Sequence, residues 1–417
     1  MQKKARAGEK WPRVRRSRAG GTIVLPMPLD RRDIDRAVDD IEERLVALSR
    51  RIHEHPELSF EERQASRWIA ELVEEVAAVP VERPFGRMET SLRARVGSGS
   101  GPRVALLAEY DALPELGHAC GHNLIAGAAV GAFLALARHA SSIHGTVELL
   151  GTPAEEAGGG KIRLLEAGAF EGVDAAMMFH PFDRDVLAHP ALTSQRLLAT
   201  FHGAPAHAAF APWDGKSALT ACMDTFRLVD SQRIRFRDGV RVHGIVTDGG
   251  QAANVIVERA QCEFSIRARS SAEIEPVVAA VERCARAAAL ASEVDVEFVR
   301  EIGYREMNNN LTLARRFGAA LEALGRHPRE TDGRIGAAST DMGDVSLAVP
   351  AIHPWLAICN EGETLCHQRA FAECAKSERG FRTMLDAAKA LARTALDLFD
   401  DPELVRAAHA EYQAARS

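Results

Sequence analysis

The sequence predicts an α/β protein built on a mainly parallel mixed sheet with helices on both faces, interrupted by an inserted α+β segment. Three observations carry this expectation. Short apolar runs that fit buried strands alternate with helical stretches between about residues 104 and 180. That rhythm breaks after Leu192 and resumes near Asn308. The chain also has 417 residues, more than one hydrophobic core usually supports, so two domains are expected.

The elements follow in order. Residues 1–27 are a basic stretch carrying Arg13, Arg15, Arg16 and Arg18, and the only apolar patch after them, Thr22 to Leu25, is shorter than the ~7–15 residues of a secretory signal. It reads as a solvated tail. Ile34, Val38, Ile41, Leu45, Leu48 and Ile52 recur every three or four residues and predict one helix, stopped by Pro56. Ser59 and Glu62 fit a capping box that opens a second helix through Glu75. Strands are then expected at 104–108, 147–150 and 175–179. Helices are expected at 124–138, where Ala and Gly permit close packing, and at 162–167. Inside the insert, strands at 196–202, 243–247 and 260–268 accompany helices at 217–229 and 274–291, and a further helix covers 311–324. The resulting division is a discontinuous catalytic domain, 28–192 with 306–417, and an insert at 193–305.

Composition excludes several classes. A formal net charge of -6 argues against a surface built for nucleic acid, and no apolar run approaches the ~18 residues that cross a bilayer, so neither partner is expected. Seven cysteines without a Cys-x-x-Cys pair do not form a disulfide framework, which points to a reducing, cytoplasmic setting.

Chemistry concentrates at strand ends. Gly117 to Asn123 reads Gly-His-Ala-Cys-Gly-His-Asn and offers a thiol and an imidazole, Cys120 and His122, to a divalent metal. Such a pair also fits a buried cysteine beside a core histidine. Gly117 and Gly121 favour the metal, because they let the backbone bend around a small object. Glu155-Glu156 lies between a predicted strand and Gly158-Gly159-Gly160, where one carboxylate can bind metal while its neighbour handles protons. His180 ends an apolar strand, where an unpartnered imidazole is costly. His118 reads as structural, His367 has little local support, and His207 sits among small residues that leave room for a substrate or a partner subunit. Glu109, Glu155-Glu156 and His180 each follow a predicted strand, and in parallel sheets ligands gather beyond the carboxyl ends.

Taken together, His53 to Leu58, Glu109 to Pro114, Gly117 to Asn123, Thr152 to Glu156, Ala206-His207-Ala208, Asn254-Val255-Ile256 and Ser339 to Ser346 form a specific set. From about residue 30 onward the chain resembles the M20 metallopeptidases and amidohydrolases, in the branch of amino-acid-conjugate amidohydrolases, aminobenzoyl-glutamate hydrolases and related dipeptidases. The resemblance implies two divalent metal ions, zinc or manganese with cobalt or nickel as substitutes, held by Cys120, His122, Glu156, His180 and His367. Glu155 would be the general base that takes a proton from the attacking water and returns it to the leaving nitrogen, and Asp111 would orient a metal ligand. The insert would be a lid that dimerises. It would carry His207 to stabilise the tetrahedral intermediate, reaching into the partner's site, and Asn254 to hold substrate. Apart from the resemblance, a carboxylate-bearing substrate would want an arginine nearby, and Arg267 or Arg334 could serve, though each also reads as an ordinary surface or structural arginine.

The expected protein is thus a cytoplasmic homodimer that hydrolyses an N-acyl or aryl-acyl amino acid or a dipeptide. Asn123 and Glu109 depart from the Asp that many relatives carry there. Two rivals remain at this level: hydrolytic deamination of an aromatic or small amine at the same metals, and a non-catalytic metal-binding dimeric scaffold.

Overall fold

The computed structural model describes residues 29–332 and 338–415. The basic stretch at 1–27 and Arg334 therefore lie outside the described residues.

A six-stranded mixed sheet organises the first and last parts of the chain. Its strands run in the order Val81–Glu82, Leu92–Gly97, Thr146–Gly151, Arg103–Ala108, Ala175–Met177 and Ala351–Ile352. The first two pairings are antiparallel and the remaining three parallel. Leu106 stands opposite both Leu149 and Met177. Val104 to Ala108 are wholly buried, as a strand covered on both faces requires, and this is why the run is apolar without alternation.

The helix His122–Arg138 packs on this sheet and is buried along nearly its whole length. Its glycines serve the close packing expected of them. A Cβ on Gly127 would lie 2.2 Å from Met384 Sδ, and one on Gly131 2.8 Å from a Leu45 methyl. Glu378–Asp400, the 23-residue helix near the C-terminus, supplies Met384 and Ala388 to that contact.

Local departures from expectation have identifiable causes. The first predicted helix is two, Arg31–Asp39 and Glu42–Glu54, separated by a turn at Asp40-Ile41; Ile34 through Ile52 still share one buried face. The next helix is Arg63–Ala77, and Ser59 does not cap it. The Ser59 hydroxyl instead donates to Asp111 Oδ2 at 3.0 Å, and the Glu62 carboxylate accepts from the Phe60 and Ala154 amides. Capping falls to Glu57, whose carboxylate accepts from the amides of Gln64 and Ala65. The strand expected at 175–179 stops at Met177. His180–Phe182 then pairs in parallel with Trp355–Ala357 in a separate two-stranded sheet.

A second, antiparallel sheet orders Asp295–Arg300, Thr193–His202, Arg259–Ala268 and Arg241–Asp248. It forms its own hydrophobic cluster with the helices Ala218–Gln232 and Ser271–Ala291, centred on Phe201, Cys222, Phe264 and Val278. Its first strand, Asp295–Arg300, alternates half-buried with exposed residues, and the sequence reading missed it.

Candidate metal centre

The cluster is assembled from loops that leave the carboxyl ends of the parallel strands. Glu109 and Asp111 follow Arg103–Ala108, Glu155 and Glu156 follow Thr146–Gly151, and His180 comes three residues after Ala175–Met177. Cys120 and His122 sit at the mouth of the helix His122–Arg138. The residue between them, Gly121, has φ 78°, and a Cβ there would lie 2.8 Å from Pro181. Only glycine suits that left-handed, crowded position.

His122 is the hub. Its Nδ1 lies 2.9 Å from Asp111 Oδ1 and 3.0 Å from the Asp111 carbonyl, so Nδ1 donates and Nε2 is left as the available donor atom for a cation. Around Nε2 stand Glu109 Oε2 at 3.5 Å, Glu156 Oε1 at 3.9 Å and Glu155 Oε2 at 4.0 Å. Cys120 Sγ lies 3.5 Å from His180 Nε2, and His367 Nε2 lies 3.4 Å from Glu156 Oε2. The structure thus brings Cys120, His122, Glu155, Glu156, His180 and His367 together from four stretches of chain. Asp111 stands behind His122, accepting also from the Glu156 amide at 2.9 Å and from Ser59.

The electrostatics fit a site made for cations. Burial would raise Asp111, but the charge of His122 and the hydrogen bonds from His122, the Glu156 amide and Ser59 overcome it and hold the carboxyl at about 2. Burial would likewise lower His122, yet Asp111 and Glu109 hold it well above its ordinary value. Burial, then the carboxylates of Glu109, Glu156 and Asp341, push Glu155 well above the usual carboxylate range. Burial and the nearby His122 lower His180 to about 3, so it is neutral and ready to ligate. Three buried atoms of the cluster have no hydrogen-bond partner among the described residues: His122 Nε2, Glu156 Oε1 and Glu109 Oε2. Two orphaned carboxylate oxygens and an unpartnered imidazole nitrogen, whose proton a cation would displace, converge beside a thiol and form a donor set that divalent metal satisfies.

A residue the sequence reading missed completes the floor. Lys161 is wholly buried, with Nζ 2.5 Å from both Glu109 Oε1 and Asp341 Oδ1, and its amide donates to Asp341 Oδ2 at 2.9 Å. It occupies the position that three carboxylates, Glu109, Glu155 and Asp341, would otherwise offer to a cation. Asn123 also has a definite role: its amide donates to Ser49 Oγ at 2.9 Å and the Ala375 carbonyl at 3.0 Å, tying three helical segments together. His118 is buried against the His53 ring.

Beside the cluster opens a cleft of about 630 Å³ whose wall includes Glu155, Glu156, Arg267, Tyr304, Ser339 and His367. Tyr304 donates to the Glu155 carbonyl at 2.6 Å and fixes that loop, and Arg267 Nη1 donates to Ser339 Oγ at 3.1 Å. His207 and Asn254 are placed elsewhere. Both are exposed, the Ala208 amide donates to the Asn254 carbonyl at 3.0 Å, and neither lines this cleft. No helix of the described residues is long and apolar enough to cross a membrane.

Comparisons with known proteins identify the family and the fold. The chain is 37% identical over 410 residues to the Xaa-Arg dipeptidase of Mus musculus, covering 94% of each chain. It is 28% identical over 462 residues to one of the p-aminobenzoyl-glutamate hydrolase subunits of Escherichia coli, covering 92% of this chain and 94% of that protein. Its fold matches a dinuclear metal binding peptidase of the M20 family from Bacillus subtilis with a TM-score of 0.67 at 22% identity, covering 87% of this chain and 99% of that one. The profile of Peptidase family M20/M25/M40 matches residues 105–396. The chain therefore belongs to Peptidase family M20/M25/M40 and is a metal-dependent hydrolase.

Proposed function

We propose that the protein is a dipeptidase, cleaving the amide bond of a dipeptide or a related N-acyl amino acid. The carrying observation is the proximity of Glu155 to a five-member donor set, Cys120, His122, Glu156, His180 and His367, at the edge of a cleft that suits a small ligand. Two divalent metal ions would be held by those five residues; when bound, they supply Lewis-acid chemistry that polarises the scissile carbonyl and acidifies water.

The chain's own residues do the rest. Glu155 accepts the proton of the attacking water and delivers it to the leaving nitrogen, a task suited to a carboxyl that burial and the neighbouring carboxylates make more basic than usual. Asp111 holds the His122 ring in one tautomer. Arg267, in the cleft wall, binds the substrate's C-terminal carboxylate. The Xaa-Arg dipeptidase relatives favour dipeptides with a C-terminal arginine as the first substrates to try.

The insert, 193–305, acts as lid and dimerisation domain on the catalytic segments 28–192 and 306–417. Its edge strand Arg241–Asp248 exposes Ile245 and Val246, an apolar edge suited to a second copy. In that dimer His207 and Asn254 complete the partner's site, which accounts for their exposure in one chain.

The test is a hydrolysis panel of Xaa-Arg and other dipeptides, N-acyl amino acids and aryl-acyl amino acids, scored for free amino acid and for ammonia. Release of amino acid, abolished by Glu155→Gln, supports the reading. Ammonia as the sole product, or a Glu155→Gln variant as fast as wild type, overturns it.

A further inference from the structure

A second thiol faces the proposed centre. Cys366 Sγ, Cys120 Sγ and a His180 ring nitrogen lie within 4.8 Å of one another, a soft corner distinct from the Cys120, His122 and Glu156 grouping. Neither thiol is tied up in a disulfide. His180 is oriented for this corner: its Nδ1 donates to the Pro181 carbonyl at 2.7 Å, so Nε2 carries the lone pair and faces Cys120.

The backbone explains how two consecutive residues both reach inward. In extended chain Cys366 and His367 would point to opposite sides. Here His367 has φ 67°, a left-handed conformation uncommon for a residue with a side chain, and its amide is anchored to the Ala119 carbonyl at 2.9 Å. The turn swings His367 Nε2 to Glu156 and leaves Cys366 Sγ beside Cys120. Backbone strain held by a hydrogen bond to the Cys120 loop is the kind of feature that persists where two side chains must share a target.

We propose that Cys366 is a further metal ligand, so that one ion of the pair is held by two sulfurs, Cys120 and Cys366, together with His180. The inference rests on the metal-centre reading above. Two thiolates and an imidazole form a soft set that suits zinc better than manganese, which prefers oxygen donors.

Zinc X-ray absorption on the reduced, full-length, zinc-loaded protein tests this, because Zn–S scattering at about 2.3 Å separates from Zn–N and Zn–O at about 2.0–2.2 Å. Cys366→Ser should lose about a third to a half of the sulfur amplitude, according to whether Cys120 touches one ion or both. Cys374→Ser, a nearby partly buried thiol outside the cluster, should leave the amplitude unchanged and serves as the folding control. In competition titrations Cys366→Ser should weaken zinc by at least about tenfold while manganese binding changes less. Full zinc stoichiometry with unchanged sulfur amplitude in Cys366→Ser overturns the role of Cys366 alone. A wild-type protein that takes up no zinc or manganese overturns the metal centre itself.

Discussion

Lys161→Met removes the one ammonium buried in the floor of the cluster while keeping an apolar stem of similar length. In the native arrangement Lys161 Nζ touches Glu109 and Asp341, both wholly buried, and the three side chains together carry a single negative charge. The variant leaves two carboxylates facing each other beside Glu155, out of reach of solvent. Breaking a buried ion pair from one side costs about 3–5 kcal/mol, because the surviving charge keeps its desolvation penalty. A loss of ~3 kcal/mol lowers a thermal midpoint by roughly 5 °C for a domain somewhat above 250 residues. The assay is thermal unfolding of the metal-free protein as wild type, Lys161→Met, Asp341→Asn and the double variant. The double variant restores the original net charge of the cluster, so it should unfold above Lys161→Met, with a coupling of ~2 kcal/mol or more. A Lys161→Met midpoint equal to wild type, or additive single effects, would refute the claim that Lys161 balances these carboxylates.

Other expectations concern chemistry, ligand orientation and pH. Glu155→Gln should lower kcat by roughly 10²–10⁴-fold while metal stoichiometry stays that of wild type, measured by steady-state kinetics and metal analysis. Asp111→Asn should weaken metal binding by about 10–100-fold, since the His122 ring loses its charged anchor; equilibrium dialysis checks this. Glu62 is fully buried, and burial followed by the charge of Asp111 raises its carboxyl to about 7. A raised acid binds its proton more tightly folded than unfolded, so its contribution is most favourable below pH 4.5 and is lost as pH rises to about 7. Glu62→Gln should therefore stabilise the protein at pH 8, by roughly 2–4 kcal/mol, and leave it near wild type at pH 4.5 in denaturant unfolding.

Much of the architecture was legible because the parallel strands are mostly apolar and the helices repeat every three to four residues. Val104 to Ala108 and Val147 to Leu150 read as strands of one parallel sheet, so the groups beyond their ends were expected to share one edge of it. This is why Glu109, Glu155, Glu156 and His180 were expected together, and they are. His367 needed the family resemblance, since nothing in Cys366-His367-Gln368 announces the left-handed turn that aims it. Asp295–Arg300 was missed because its alternation mixes charged residues with only three apolar ones. Ser59 failed as a cap because Asp111, distant in sequence, captures its hydroxyl. Lys161 was invisible for a similar reason: a lysine at a helix start reads as solvated until its carboxylate partners, 52 and 180 residues away, are placed around it.

Anomalous diffraction at the zinc edge, from crystals of the metal-loaded protein, addresses the binuclear centre most directly. The account predicts two adjacent peaks enclosed by Cys120, His122, Glu156, His180 and His367, with Glu155 turned toward them. A map without peaks at these residues, or with bound zinc only at surface carboxylates, would contradict it.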